Sequence, residues 1–108
     1  MDIKHFYIEK GHGEPFILLH GNGESCDYFK NQIDEFSKYY HVYAIDTRGH
    51  GKTPRGQEPF TIRQFAKDLS EFMNEHKINT ANLLGFSDGG NIAMVFAMYY
   101  PDRVNRLI

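Results

Sequence analysis

The sequence predicts one α/β domain with a mostly parallel sheet. Three observations carry this expectation. Phe16-Ile17-Leu18-Leu19 and the segments 41–45 and 79–86 are apolar runs that read as strands covered on both faces, as in parallel pairing. Segments with apolar residues at helical spacing lie between them. Each run leads into a loop that carries glycine, so strand and helix alternate along the chain.

Taken in order, residues 3–10 mix Ile3, Phe6, Tyr7 and Ile8 with polar residues and predict an exposed edge strand. Residues 11–15 form a turn. The strand at Phe16 ends in the loop His20-Gly21-Asn22-Gly23-Glu24, after which Ser25 is a helix N-cap. Tyr28, Phe29, Ile33 and Phe36 then predict a helix reaching Tyr39. The strand 41–45 ends at Asp46, and a polar loop follows to about residue 60. Thr61 and Gln64 form a capping-box pair for a helix whose buried stripe is Ile62, Phe65, Leu69, Phe72 and Met73. After the strand 79–86 comes a sharp turn, then an apolar helix over 91–99 that Pro101-Asp102-Arg103 ends. A last strand begins at Val104.

Length and charge narrow the function classes. The chain has 108 residues, which suits one domain, and 41% apolar residues with nine Phe and seven Tyr predict an ordered core. A formal charge of −2 with both signs interspersed gives no stripe for nucleic acid. No apolar run approaches a membrane span, and Met1-Asp2-Ile3-Lys4-His5 lacks the apolar core of a signal peptide. Cys26 is the single cysteine, which excludes an internal disulfide and fits a reducing compartment; the expected location is cytoplasmic. No feature sets an oligomeric state.

The chemistry concentrates at Gly85-Phe86-Ser87-Asp88-Gly89-Gly90. A chain that reverses from strand to helix within a residue or two forces Ser87 into a strained conformation with its hydroxyl outward. Side chains at 85 and 89 would collide in so tight a turn, hence the glycines. Gly90 is expected to bring the helix close to the strand. The helix N-terminus then directs unpaired N–H groups toward the place where an oxyanion would form.

With His20-Gly21-Asn22-Gly23 after one strand, Asp46-Thr47-Arg48-Gly49-His50-Gly51 after the next and the Ser87 turn after the third, the chain resembles the α/β-hydrolase superfamily, in its esterase, lipase and C–C hydrolase branch. The resemblance implies the N-terminal part of a doubly wound, mostly parallel sheet, truncated before the C-terminal strands, with residues 1–108 as one incomplete domain. It implies Ser87 as nucleophile, the backbone N–H of Asp88 as one oxyanion donor and that of Asn22 as the second, with Gly23 the lesser choice. It implies a small ester-like substrate, no cofactor and no metal.

The chain departs from that family pattern in one respect. After Ser87 only Asp88 and Asp102 are acidic, and no histidine follows. The family's later acid and histidine have no counterpart here, so the chain alone is expected to be inactive. The alternative reading is a non-catalytic fragment or interaction module. His20 is expected to hold its own loop, His50 to lie in a polar loop, and His5, His12, His41 and His76 to be peripheral. Cys26 reads as a small half-buried residue rather than a nucleophile. Gly51-Lys52-Thr53 imitates the end of a phosphate-binding loop, but Asp46 stands where the first glycine belongs and Pro54 follows directly. Asp46 and Arg48 are expected to brace this loop from inside.

Overall fold

The computed structural model describes residues 2–108. Its strands are β1 (Tyr7–Lys10), β2 (Pro15–Leu19), β3 (His41–Ile45), β4 (Ala81–Gly85) and β5 (Val104–Leu107). They form one sheet in the order β1-β3-β2-β4-β5. β1 runs antiparallel to β3, and every other pairing is parallel. The α-helices are α1 (Lys30–Phe36), α2 (Ile62–Glu75) and α3 (Asp88–Tyr99). The sheet is therefore a mostly parallel α/β sheet, as expected.

Strand alternation divides the core in two. Ile17, Leu19, Tyr43, Ile45 and Leu83 face α2 and α3, where they meet Leu69, Phe72, Ile92 and Phe96. Phe16, Leu18, Val42 and Ala44 face the opposite way, toward Cys26, Phe29 and Ile33. The central strands are thus covered on both faces, which is why they read as unbroken apolar runs.

Several expectations need correction. The helix expected over 25–39 is a short 3-10 turn, Cys26–Phe29, followed by the two-turn α1. Asp46 Oδ1 accepts the Cys26 N–H at 2.6 Å and anchors the start of this segment to the end of β3. Ser25 does cap it, accepting from Asp27 N at 3.4 Å. Only half of the capping box forms: Thr61 Oγ1 accepts from Gln64 N at 3.1 Å, while the Gln64 amide turns forward to donate to Asp68 Oδ1 at 2.9 Å. The strand expected over 3–10 is shorter and spans Tyr7–Lys10. His5 is not peripheral: it is buried, its ring edge-on to Phe72 at 5.6 Å. Cys26 is fully rather than half buried.

Arg48 is entirely buried beneath the loop that follows β3. Its guanidinium donates to both carboxylate oxygens of Asp68, at 2.8 and 2.9 Å, and to Asp2 Oδ1 at 2.7 Å. It also donates to the Arg55 carbonyl at 3.0 Å, so it braces the loop from inside. Breaking such a pair from one side leaves an uncompensated charge in the interior.

Candidate active site

β4 ends at Gly85 and α3 begins at Asp88, leaving two residues for the reversal. Ser87 takes the strain, with φ 57° and ψ −117°. A positive φ is unusual outside glycine, and here it turns an exposed side chain out at the head of a helix. The flanking glycines are required by contact. A Cβ on Gly85 would overlap the carbonyl of Gly89, and one on Gly89 would overlap the carbonyl of Leu19. Gly90 differs from the expectation: the nearest neighbour of an added Cβ is the Gly85 carbonyl oxygen at 3.4 Å, an ordinary contact. It is Gly89 that brings the helix against the sheet.

The loop after β2 meets this turn. Phe86 N–H donates to the Leu19 carbonyl at 3.0 Å. A Cβ placed on Gly21 would stand 3.3 Å from Ser87 Cβ, so the loop backbone lies directly beside the serine. His20 is buried and uses both ring nitrogens to hold the loop. Nδ1 lies 2.7 Å from the Gly21 carbonyl and must be the donor, so Nε2 accepts from Thr47 N at 3.1 Å. Burial also pulls the His20 pKa below its ordinary value, against the Gly21 hydrogen bond that raises it, and this agrees with a neutral ring.

Asn22 is one residue beyond Gly21 and exposed. Its side-chain Oδ1 lies 3.3 Å from His50 Nε2, and its backbone N–H has no acceptor among the described residues. The N–H of Asp88 likewise has none. The Asp88 N–H follows Ser87 at the head of α3, and the Asn22 N–H lies on the loop whose Gly21 backs onto Ser87. Glu24 was not apparent from sequence. Its Oε1 accepts from Gly21 N at 3.0 Å, and the Glu24 N–H donates back to the Gly21 carbonyl at 3.2 Å, closing the loop into a rigid turn.

No histidine among the described residues is hydrogen-bonded to Ser87. His50 Nδ1 is within 3.1 Å of both Thr47 Oγ1 and the Arg48 carbonyl. Cys26 makes no second nucleophile: burial, helped by Asp46, pushes its thiol up to about 12, where it stays protonated. Nor does the Lys52 loop cradle a phosphate. Asp46 Oδ2 accepts the Lys52 N–H at 2.8 Å, and Lys52 Nζ lies over the Phe6 ring at 4.7 Å. No cluster of His, Cys, Asp and Glu among the described residues could hold a metal. Among those residues no helix is long and apolar enough to cross a membrane.

Comparison with known proteins bears on this geometry. A family model described as alpha/beta hydrolase fold matches residues 14–108. The chain belongs to the alpha/beta hydrolase fold family. Within that family it is 34% identical over 101 residues to an (E)-2-((N-methylformamido)methylene)succinate hydrolase of Acinetobacter baylyi, covering 94% of this chain and 38% of that one. It is 31% identical to epoxide hydrolase 4 of Mus musculus, covering 98% of this chain and 31% of that one. Among solved structures, a marine microorganism esterase superposes with a TM-score of 0.92 at 37% identity, over 97% of this chain and 40% of the esterase. An enol-lactonase from Burkholderia xenovorans gives 0.92 at 29% identity, over 97% and 42% of the two chains. This alpha/beta hydrolase chain therefore spans less than half the length of these relatives and aligns with a part of their fold.

Proposed function

We propose that the whole protein is a serine hydrolase that cleaves an ester, or a related acyl or carbon–carbon bond, through an acyl-serine intermediate on Ser87. The observation that carries this reading is the strained backbone of Ser87 at the head of α3, with unpaired N–H groups at Asp88 and Asn22 on the two elements that meet there. In the reaction Ser87 Oγ bonds to the substrate carbonyl carbon as its proton passes to a histidine. The carbonyl electron pair moves onto oxygen, where the N–H groups of Asp88 and Asn22 receive the charge. Fixed donors of this kind need no reorganisation as charge develops, and losing one costs about 10²–10³ in kcat. Collapse expels the leaving group with the proton, and water repeats the sequence to free the acid.

The base and the acid that orients it belong, in this proposal, to the part of the relatives' length that the chain does not cover. The occupied ring nitrogens of His20 support this, since neither is free to take the Ser87 proton. The 108-residue chain alone is then inactive or acts only as a module. The relatives named as hydrolases, an esterase and a lactonase agree with a small acyl substrate.

The test is covalent labelling by a fluorophosphonate. A longer form carrying the rest of the domain is expected to label rapidly, and Ser87→Ala to abolish that labelling. Labelling that survives Ser87→Ala removes Ser87 as nucleophile. Rapid, Ser87-dependent labelling of the 108-residue chain shows instead that the base lies within it.

A further inference from the structure

Two large rings stand half-exposed beside Ser87. Phe86 precedes it in sequence and is 48% exposed; Tyr28, on the 3-10 turn after the loop, is 44% exposed. Their rings stack at 4.9 Å with an interplanar angle of 28°. Tyr28 is held in turn by the buried Phe29, edge-on at 5.2 Å. The point where a Cβ of Gly21 would stand relates this stack to the site. It lies 3.3 Å from Ser87 Cβ, 3.4 Å from Phe86 Cδ2 and 2.7 Å from Glu24 Oε1. Nucleophile, aromatic face and carboxylate therefore converge on one spot. The Glu24 carboxylate stays there because it accepts the Gly21 N–H. Glu24 forms no salt bridge among the described residues.

We propose that the Tyr28–Phe86 stack is a binding face for a flat, uncharged apolar part of the substrate, and that Glu24 makes this face selective against carboxylate-bearing groups. The proposal rests on the reading of Ser87 as nucleophile for its functional meaning. The physical contact it describes does not need the chemistry. An aromatic face offers offset or edge-on stacking to a planar group. A fixed carboxylate repels an anion brought beside it.

The experiment measures non-covalent binding of acetophenone, an unreactive neutral aryl ketone, and of 4-acetylbenzoate, its anionic counterpart. Both are titrated against the 108-residue chain by ligand-observed saturation-transfer NMR. Acetophenone is expected to bind, and Phe86→Leu or Tyr28→Leu to weaken it about five-fold, as loss of one stacking partner would. 4-Acetylbenzoate is expected to bind at least about five-fold more weakly than acetophenone, and Glu24→Gln to remove most of that difference while keeping an acceptor for Gly21 N. His12→Ala, at an exposed position on the turn before β2 and so at the far end of that strand from the site, is the folding control and is expected to bind acetophenone as the parent chain does. Binding unchanged in both Leu variants overturns the stack, as does no binding at all. Equal affinity for the two ligands in the parent chain overturns the role of Glu24. Loss of fluorophosphonate labelling in the longer form, with acetophenone binding intact, would fail the nucleophile reading and leave the binding face standing.

Discussion

Gly89 abuts the backbone carbonyl of Leu19 so closely that a methyl group on it would overlap the oxygen. This contact locks the first turn of α3 onto the end of β2, and with it Ser87 onto the loop that carries Asn22. Because the obstacle is backbone, Gly89→Ala is expected to destabilise the fold by about 3 kcal/mol. Gly90→Ala has only ordinary contacts in its way and replaces a helical glycine, so it is expected to be neutral or to stabilise by up to about 1 kcal/mol. Urea unfolding of the two variants checks the pair; similar losses for both would mean that the close approach is not at Gly89.

Asp68 is the buried partner of Arg48, making two hydrogen bonds to its guanidinium. Asp68→Ala is expected to cost about 3–5 kcal/mol, because it removes the fully buried partner of a buried cation. Asp2→Ala removes the more exposed of the two partners and is expected to lower Tm by less. Thermal denaturation of the two variants in one buffer orders them, and the reverse order would place the main support of Arg48 at the N-terminus.

Burial lowers the pKa of both His5 and His20 from the ordinary value of 6.5. The unfolded chain therefore takes up these protons first as pH falls. Stability is fully present above about pH 6.5 and is lost as pH drops from there toward the lower folded values. Asp2 is shifted down chiefly by its hydrogen bond to Arg48, and its contribution disappears only below its ordinary 3.8, a separate window. Urea midpoints measured from about pH 7.5 to about pH 5 should fall on acidification, and His20→Asn should flatten part of that slope. A flat profile in the parent chain would mean that both rings are protonated without penalty.

Asn22 contributes to the proposed reaction through its backbone. In the longer form, Asn22→Ala is expected to lower kcat less than ten-fold, well short of the roughly 10²–10³ for a lost oxyanion donor. Its tether to His50 accounts for whatever loss is seen. A loss above that range would assign the donor role to the side-chain amide.

Met98 is 77% exposed on α3, with Met94 at 52%, and Leu107 and Ile108 are 44% and 63% exposed at the free edge of the sheet. An apolar, unpaired strand edge is a template for intermolecular pairing. The 108-residue chain is expected to self-associate in size-exclusion chromatography with light scattering, and Met98→Lys with Leu107→Lys to reduce this. A monodisperse monomer of the parent chain would contradict it.

The elements of this protein were legible in the chain itself because their signals are local. Phe16 to Leu19 reads as a doubly covered strand, Thr61 as a cap and Gly85-x-Ser87-x-Gly89 as a strained turn, since each depends on neighbours a few residues away. The chain also revealed that no histidine follows Ser87. What tertiary structure alone decided are relationships between residues distant in sequence. His5 reads as a polar terminal residue, yet the approach of Phe72 buries it. The stretch after Ser25 reads as one helix, yet the Asp46 carboxylate holds Cys26 N in a tighter turn. Spacing marks Gly89 as part of the tight turn and leaves Gly90 as the residue expected to bring the helix close, and only the position of Leu19 shows that Gly89 makes the close approach. The meeting of Glu24, Phe86 and Tyr28 at Ser87 has no periodicity to announce it, because it arises where two loops from different strands close on the same point.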